Sequence, residues 1–208
     1  MRVSCVYAHK TEVEHLKNLV NKTNWSEKIS WHRWSEVQRE PTATDFSETD
    51  AIINAGFAGR LSDRPPLETL VLVDQLIDPV SGKTVQLETA NKSLGLKPCL
   101  KDDDGFLEVN LLTVDKPVIK DTKKKNLLAK FDAAIVDMEA WDVYHLSKKV
   151  DIPFVSFKLI SDNADDTATN TVITNKHKLG RLLGETLFNI FETLSGDRHG
   201  YFRNHTGI

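Results

Sequence analysis

Two acidic residues stand directly after short apolar runs. Glu139 follows Ala133-Ala134-Ile135-Val136-Asp137-Met138, and Asp162 follows Phe154-Val155-Ser156-Phe157-Lys158-Leu159-Ile160-Ser161. Apolar runs of this length read as buried strands, and strand ends are where α/β sheets gather ligands. A third acid, Glu12, lies just past the apolar N-terminal run Val3-Ser4-Cys5-Val6-Tyr7. Carboxylates brought together in a buried site shift each other's proton affinity, so one can act as an acid while another acts as a base. Taken singly, an acid after a strand is more often a helix cap than a catalyst. The chemistry needs all three together.

The intervening segments read as elements able to position these acids. Trp141, Val143, Tyr144, Leu146 and Val150 form a helical stripe between the two acidic strand ends, and Pro153 closes the loop into the next strand. This predicts a return of the chain to the same edge of a parallel sheet. Arg2–Ala8 reads as a strand, with an acidic first helical turn starting at Thr11. Ile29–Trp34 alternates as a strand or hairpin. Ala51–Gly59 reads as a strand running into a turn, where Gly56 and Gly59 permit close backbone approach. Further strands are expected over 68–77 and 107–114. The segment 79–105, with Asp102-Asp103-Asp104, reads as a solvated loop, and Lys120–Lys125 as a wet helix face. Leu179, Leu182, Leu183, Leu187, Ile190, Phe191 and Leu194 recur at the spacing of a core-facing helix.

With 208 residues, 40% hydrophobic and 27% charged, the chain is long enough for one sizeable core. It is read as a single domain over 1–208. A net charge of -3 argues against a nucleic-acid surface, and no long apolar run or signal-like N-terminus is present, so a cytoplasmic protein without a membrane partner is expected. Cys5 and Cys99 are too few and isolated for a disulfide framework or cysteine metal site. Residues 162–166 lack the glycine and distal glutamate of a calcium loop, and His199 and His205 lie in a polar tail without further ligands. No metal and no cofactor are expected.

In order along the chain, Ala8 with Glu12-Val13, Asn54-Ala55-Gly56-Phe57-Ala58-Gly59, Met138-Glu139, and Ile160-Ser161-Asp162 with Ala164-Asp165 resemble the nucleoside phosphorylase and nucleosidase superfamily. They are most similar to the 5'-methylthioadenosine/S-adenosylhomocysteine nucleosidases, with the futalosine hydrolase branch close by. The resemblance implies a three-layer α/β/α domain around a mixed, largely parallel sheet, a homodimer, a small purine nucleoside as partner, and cleavage of its N-glycosidic bond. By the same resemblance, Asp162 would protonate the departing purine and Glu12 would activate water. Glu139 would accept hydrogen bonds from ribose hydroxyls, and Met138 would offer the sugar an apolar face. Phe57, Ala58, Gly59, Val118 and Ser161 would line the substrate site. Phe57 and Arg60 stand where the family often has small residues, and Pro117 where it often has an aromatic.

The resemblance leaves phosphorolysis and a degenerate nucleoside-binding protein as competing classes. Phosphorolysis needs an anion cradle beside the sugar, and Tyr7-Ala8-His9-Lys10 lacks the glycine and arginine of one. Retention of all three acids speaks against a degenerate binder.

Overall fold

The computed structural model describes residues 1–40, 46–87 and 107–195, with side chains to 193. The expected loop beyond residue 87, Cys99, the 102–104 acidic run, His199, His205 and the Leu194 side chain lie outside the described residues.

Strand β1 (Val3–Tyr7) is buried throughout and leads into α1 (Lys10–Val20). His9 caps this helix: its ring accepts from the Thr11 N–H, and Glu12 accepts from the His9 N–H in return. Next come β2 (Ile29–Arg33), the short α2 (Trp34–Arg39) and β3 (Ala51–Arg60). The chain continues through β4 (Leu70–Ile77), β5 (Thr84–Gln86), β6 (Leu107–Thr113), α3 (Asp121–Lys130), β7 (Ile135–Asp137), α4 (Ala140–Lys149), β8 (Phe154–Asp162) and α5 (Ala168–Ser195).

β3 is the spine of the sheet. It pairs in parallel with β1 and β8, and its last residues pair antiparallel with β7. β8 also pairs antiparallel with β4, β4 in parallel with β6, and β6 in parallel with β7. The pairs β3–β8–β4–β6–β7–β3 therefore close into a ring, with β2 added beside β1 and β5 beside β4. Closure removes free edges around the strands that carry the acids.

Helices cover both sides of this mixed, mostly parallel sheet. On one side Val13 and Leu16 of α1 and Leu179, Leu183, Leu187 and Phe191 of α5 pack on Cys5, Ile53, Val155 and Phe157. On the other, Ala140 and Val143 of α4 meet Ile52, Ala58, Phe154 and Ile160. The leucine spacing read as a core helix is α5, and the basic 120–125 stretch opens α3, which buries no residue. Burial pushes the Cys5 thiol up to about 12, so it is a core side chain without thiolate character.

Ile29–Arg33 is a strand, one of the two readings expected, and it pairs in parallel with β1 rather than as a hairpin arm. Three expectations need correction. Part of the segment 79–105, expected as a loop, is strand β5, which pairs antiparallel with β4. The expected glycine turn at 56–59 is uninterrupted strand to Arg60. Finally, β7 runs antiparallel to β3 while β8 runs parallel to it, so Glu139 and Asp162 reach β3 from opposite directions rather than along one parallel edge. The three-residue β7 pairs with β3 at only two positions, too brief a contact for periodicity to reveal its direction.

Candidate active site

All three acids are buried, and two glycines of β3 make room for them. A Cβ on Gly56 would lie 2.9 Å from Glu12 Oε1 and 3.2 Å from Glu139 Oε1. A Cβ on Gly59 would lie 2.9 Å from Asp162 Oδ1 and 3.0 Å from the Ala164 methyl. These glycines are thus needed for close approach inside a strand, not for turning the chain. A register shift where Ala58 pairs with Ile160 but Gly59 with Asp162 sets the last residue of β8 beside Gly59.

Glu12 is held by three backbone donors. Its Oε2 accepts from the N–H of Ala8 (3.0 Å) and His9 (2.7 Å), and Oε1 accepts from the Phe57 N–H at 3.0 Å. Burial raises its proton affinity, and the His9 N–H, Lys158 and the other two amides oppose that rise. Glu12 is therefore both part of a helix cap and a bridge from α1 to β3.

Glu139 belongs to a buried charge cluster. Lys158, wholly buried in β8, donates to Glu139 Oε1 at 2.5 Å and reaches Asp137 Oδ2 at 2.8 Å. Asp137 also accepts from the Thr113 hydroxyl (2.7 Å) and the Ala140 N–H (3.0 Å). Burial pushes Glu139 up to about 7 against the pull of Lys158, with Asp137 and Glu12 pushing the same way as burial. Burial would lower Lys158, but the two acids outweigh it and hold the ammonium protonated above the usual lysine range.

Asp162 is held in a tight turn. Its Oδ1 accepts from the Ala164 N–H at 2.8 Å, and Oδ2 lies 2.6 Å from the Ser161 hydroxyl, which also lies 3.3 Å from the Ala58 carbonyl. One hydroxyl proton cannot serve both acceptors. If it points to Asp162, Oδ2 accepts it; if it points to Ala58, the Ser161 oxygen faces Oδ2 as an acceptor.

The other candidates fall around these acids. Met138, the residue before buried Glu139, is 47% exposed. Phe57 is half-buried against the α1–α5 side of the core, and Ala58 and Ser161 are buried. The Val118 side chain instead packs with Leu61, Leu112, Val136 and Ala164, leaving only its backbone as a candidate contact. Lys158 and Asp137 were not singled out from the sequence. The signal was a lone lysine inside an otherwise apolar strand, which has to find a buried acid.

Among the described residues, no group of His, Cys, Asp and Glu is arranged to hold a metal ion. Two cavities lie elsewhere: one of about 550 Å³ is lined by Arg64, Asn110 and Phe131 among others, and one of about 250 Å³ by Glu14, His15 and Arg181 among others. Neither contains the converging acids, whose burial and hydrogen bonding mark the chemistry better than volume does.

Residues 42–194 match the profile of the Phosphorylase superfamily, and the chain belongs to that family. No curated sequence matches it. Solved structures with the same fold include the 5'-methylthioadenosine/S-adenosylhomocysteine nucleosidase of S. pneumoniae with the transition-state inhibitor MT-ImmA. It has a TM-score of 0.78 at 17% identity, over 93% of this chain and 100% of that one. The Helicobacter pylori nucleosidase with butyl-thio-DADMe-Immucillin-A gives 0.72 at 17% identity, over 92% and 98%. A futalosine hydrolase mutant of Helicobacter pylori gives 0.73 at 17% identity, over 92% and 99%. Among the described residues, no helix is long and apolar enough to cross a membrane.

Proposed function

We propose that this chain hydrolyses the N-glycosidic bond of a 5'-modified adenine nucleoside, with methylthioadenosine, S-adenosylhomocysteine or aminofutalosine as candidate substrates, and releases the free base. The observation that carries this reading is the seating of Glu12 and Glu139 against Gly56 and of Asp162 against Gly59 on one strand. Breaking the bond leaves positive charge on the ribose and negative charge on the base, which calls for carboxylates near the sugar and an acid near the purine. Asp162 protonates the base. Glu12, a carboxylate of raised proton affinity and hence a stronger base, takes the proton of the attacking water. Glu139, oriented by Lys158, accepts from the ribose hydroxyls, and Met138, Phe57, Ala58, Gly59, Ser161 and the Val118 backbone line the nucleoside.

Water is favoured over phosphate because Arg60, the cation nearest the glycines in sequence, is already engaged: its Nε donates to Asn163 Oδ1 at 2.6 Å. The same reading expects a cytoplasmic homodimer, checked by sedimentation of the purified chain. The deciding experiment incubates the protein with methylthioadenosine, S-adenosylhomocysteine, aminofutalosine, futalosine and inosine in phosphate-free buffer and identifies any free base and sugar. Release of adenine and free sugar supports the proposal. Absence of any base release, or strict dependence on phosphate with formation of a sugar 1-phosphate, overturns it.

A further inference from the structure

The turn that carries Asp162 is tied down from two sides by cations that touch neither Asp162 nor the other two acids. Arg60, the last residue of β3, donates from Nε to Asn163 Oδ1 at 2.6 Å, and its Nη1 lies 3.5 Å from the Asp63 carbonyl. Lys124 of α3 donates from Nζ to the Asn163 carbonyl at 2.6 Å. Asn163 therefore has its side-chain oxygen and its backbone oxygen each taken by a cation on a different element. Asp165 does not compete for them by hydrogen bonding. It accepts from the N–H and hydroxyl of Thr167 at 2.8 and 2.6 Å, and so caps the start of α5.

The next residue explains why such a tie is needed. Ala164 has φ 51°, the left-handed region that a residue with a side chain rarely adopts. That conformation turns its N–H onto Asp162 Oδ1 at 2.8 Å. Its methyl group is buried and would be 3.0 Å from a Cβ on Gly59, so the turn has little room to relax toward β3. The backbone does not favour this turn by itself, and the residue just before Ala164 is the one both cations grip.

We infer that Arg60 and Lys124 are positioning residues that act through Asn163 to hold the 162–164 turn, and with it the Asp162 carboxyl, in its working orientation. This role rests on the nucleosidase reading, in which Asp162 delivers a proton to the base. It gives the basic 120–125 stretch a task that its solvated face does not reveal. It also gives Arg60 a task other than binding an anion. Misplacing a reacting group by about an ångström costs on the order of a hundredfold in rate, so partial release of the turn should appear in turnover before it appears in binding.

The test uses the full chain with methylthioadenosine as probe, comparing Arg60→Ala, Arg60→Lys, Lys124→Ala, Asn163→Ala and the double change Arg60→Ala/Asn163→Ala. Arg60→Ala and Asn163→Ala should each lower kcat by about tenfold to a hundredfold with KM within about twofold. Arg60→Lys, which keeps a cationic donor, should recover part of the loss. Because Arg60 acts through Asn163, the double change should be no slower than Asn163→Ala alone; additive losses would overturn the inference. Lys124→Ala lies on a helix with no buried residue and leaves the core intact, so it keeps the idea testable if Arg60→Ala does not fold.

Amide hydrogen exchange supplies a readout that does not need activity. The Ala164 N–H should exchange about tenfold faster in Arg60→Ala and Lys124→Ala than in the unmodified chain, while the Phe57 N–H bound to Glu12 keeps its rate. An active protein whose kcat and Ala164 exchange ignore both substitutions refutes the clamp and leaves the nucleosidase reading standing. An unmodified protein that cleaves no nucleoside refutes that reading. Faster Ala164 exchange in the variants would then still support the clamp as the device that holds Asp162, and unchanged exchange would overturn it.

Discussion

Replacing Lys158 by methionine is the sharpest probe of the buried charge cluster, because the new side chain fills similar space without the ammonium. In the native protein Lys158 contacts Glu139 at 2.5 Å and Asp137 at 2.8 Å, with neither its own nor Asp137's side chain exposed. Removing one partner from a buried ion pair costs about 3–5 kcal/mol, since the remaining charge has neither water nor a counter-ion. For a domain of this size each kcal/mol lowers Tm by about 2–4 °C, giving a drop of roughly 6–20 °C near neutral pH. The pH dependence identifies the cause. Glu139 is already raised from 4.5 to about 7, so its folded form binds a proton more tightly than the unfolded chain does. Stability from this group is fully present below the unfolded value and falls as pH rises toward 7, by about 3 kcal/mol in the native protein. Without Lys158, Glu139 should rise further and escape much of the penalty at pH 5 by staying protonated. Thermal melts followed by circular dichroism at pH 5 and pH 8 should therefore show the larger deficit at pH 8. A deficit below about 1 kcal/mol, or one equal at both pH values, would refute the reasoning.

Four further substitutions address the site itself. Asp162→Asn and Glu12→Gln should each reduce kcat by about a hundredfold to ten-thousandfold in a base-release assay, the usual range for a lost general acid or base, and small effects from both would sink the assigned roles. Glu139→Ala should erode the preference of the native protein for a ribonucleoside over its 2'-deoxy counterpart, because a buried group built to accept a hydroxyl is left unpaired when that hydroxyl is missing. Equal kcat/KM for the two substrates in the native protein would remove the role. Gly56→Ala places a methyl group 2.9 Å from Glu12 Oε1 and 3.2 Å from Glu139 Oε1, so it should displace both acids and cost at least tenfold in kcat/KM; unchanged kinetics would show that their seating on β3 is not needed.

The acids were legible in the sequence for a simple reason: Glu139 and Asp162 stand where the apolar runs of β7 and β8 stop, and Glu12 lies in the first turn of the helix after β1. The long helix was equally plain, since Leu179, Leu183, Leu187 and Phe191 recur on one buried face. The glycines were legible as glycines but not as parts of a strand. Local propensity assigns Gly to turns, and only the distant carboxylates show that Gly56 and Gly59 are there for the missing side chain. Lys158 was overlooked because lysine is seldom buried, although all three positions on either side of it in β8 are apolar or serine. Arg60 and Lys124 look like surface charge in one dimension. Their common partner, Asn163, is 103 positions away from one and 39 from the other, and no pattern within a short window joins them.

The charge balance of the cluster bears directly on the proposed reaction. Among the described residues, Glu12, Asp137 and Glu139 are buried around a single buried cation, Lys158. One ammonium cannot compensate three carboxylates away from water, and burial accordingly raises the proton affinity of both Glu12 and Glu139. During cleavage, on the proposed reading, the ribose itself becomes positive beside these acids. Carboxylates attract that transient charge more strongly than they attract the neutral nucleoside, which is the condition for binding energy to raise kcat. A better-compensated cluster would be more stable and would bind the developing cation less well. The shortage of positive charge around Gly56 is therefore a structural cost that the proposed chemistry uses.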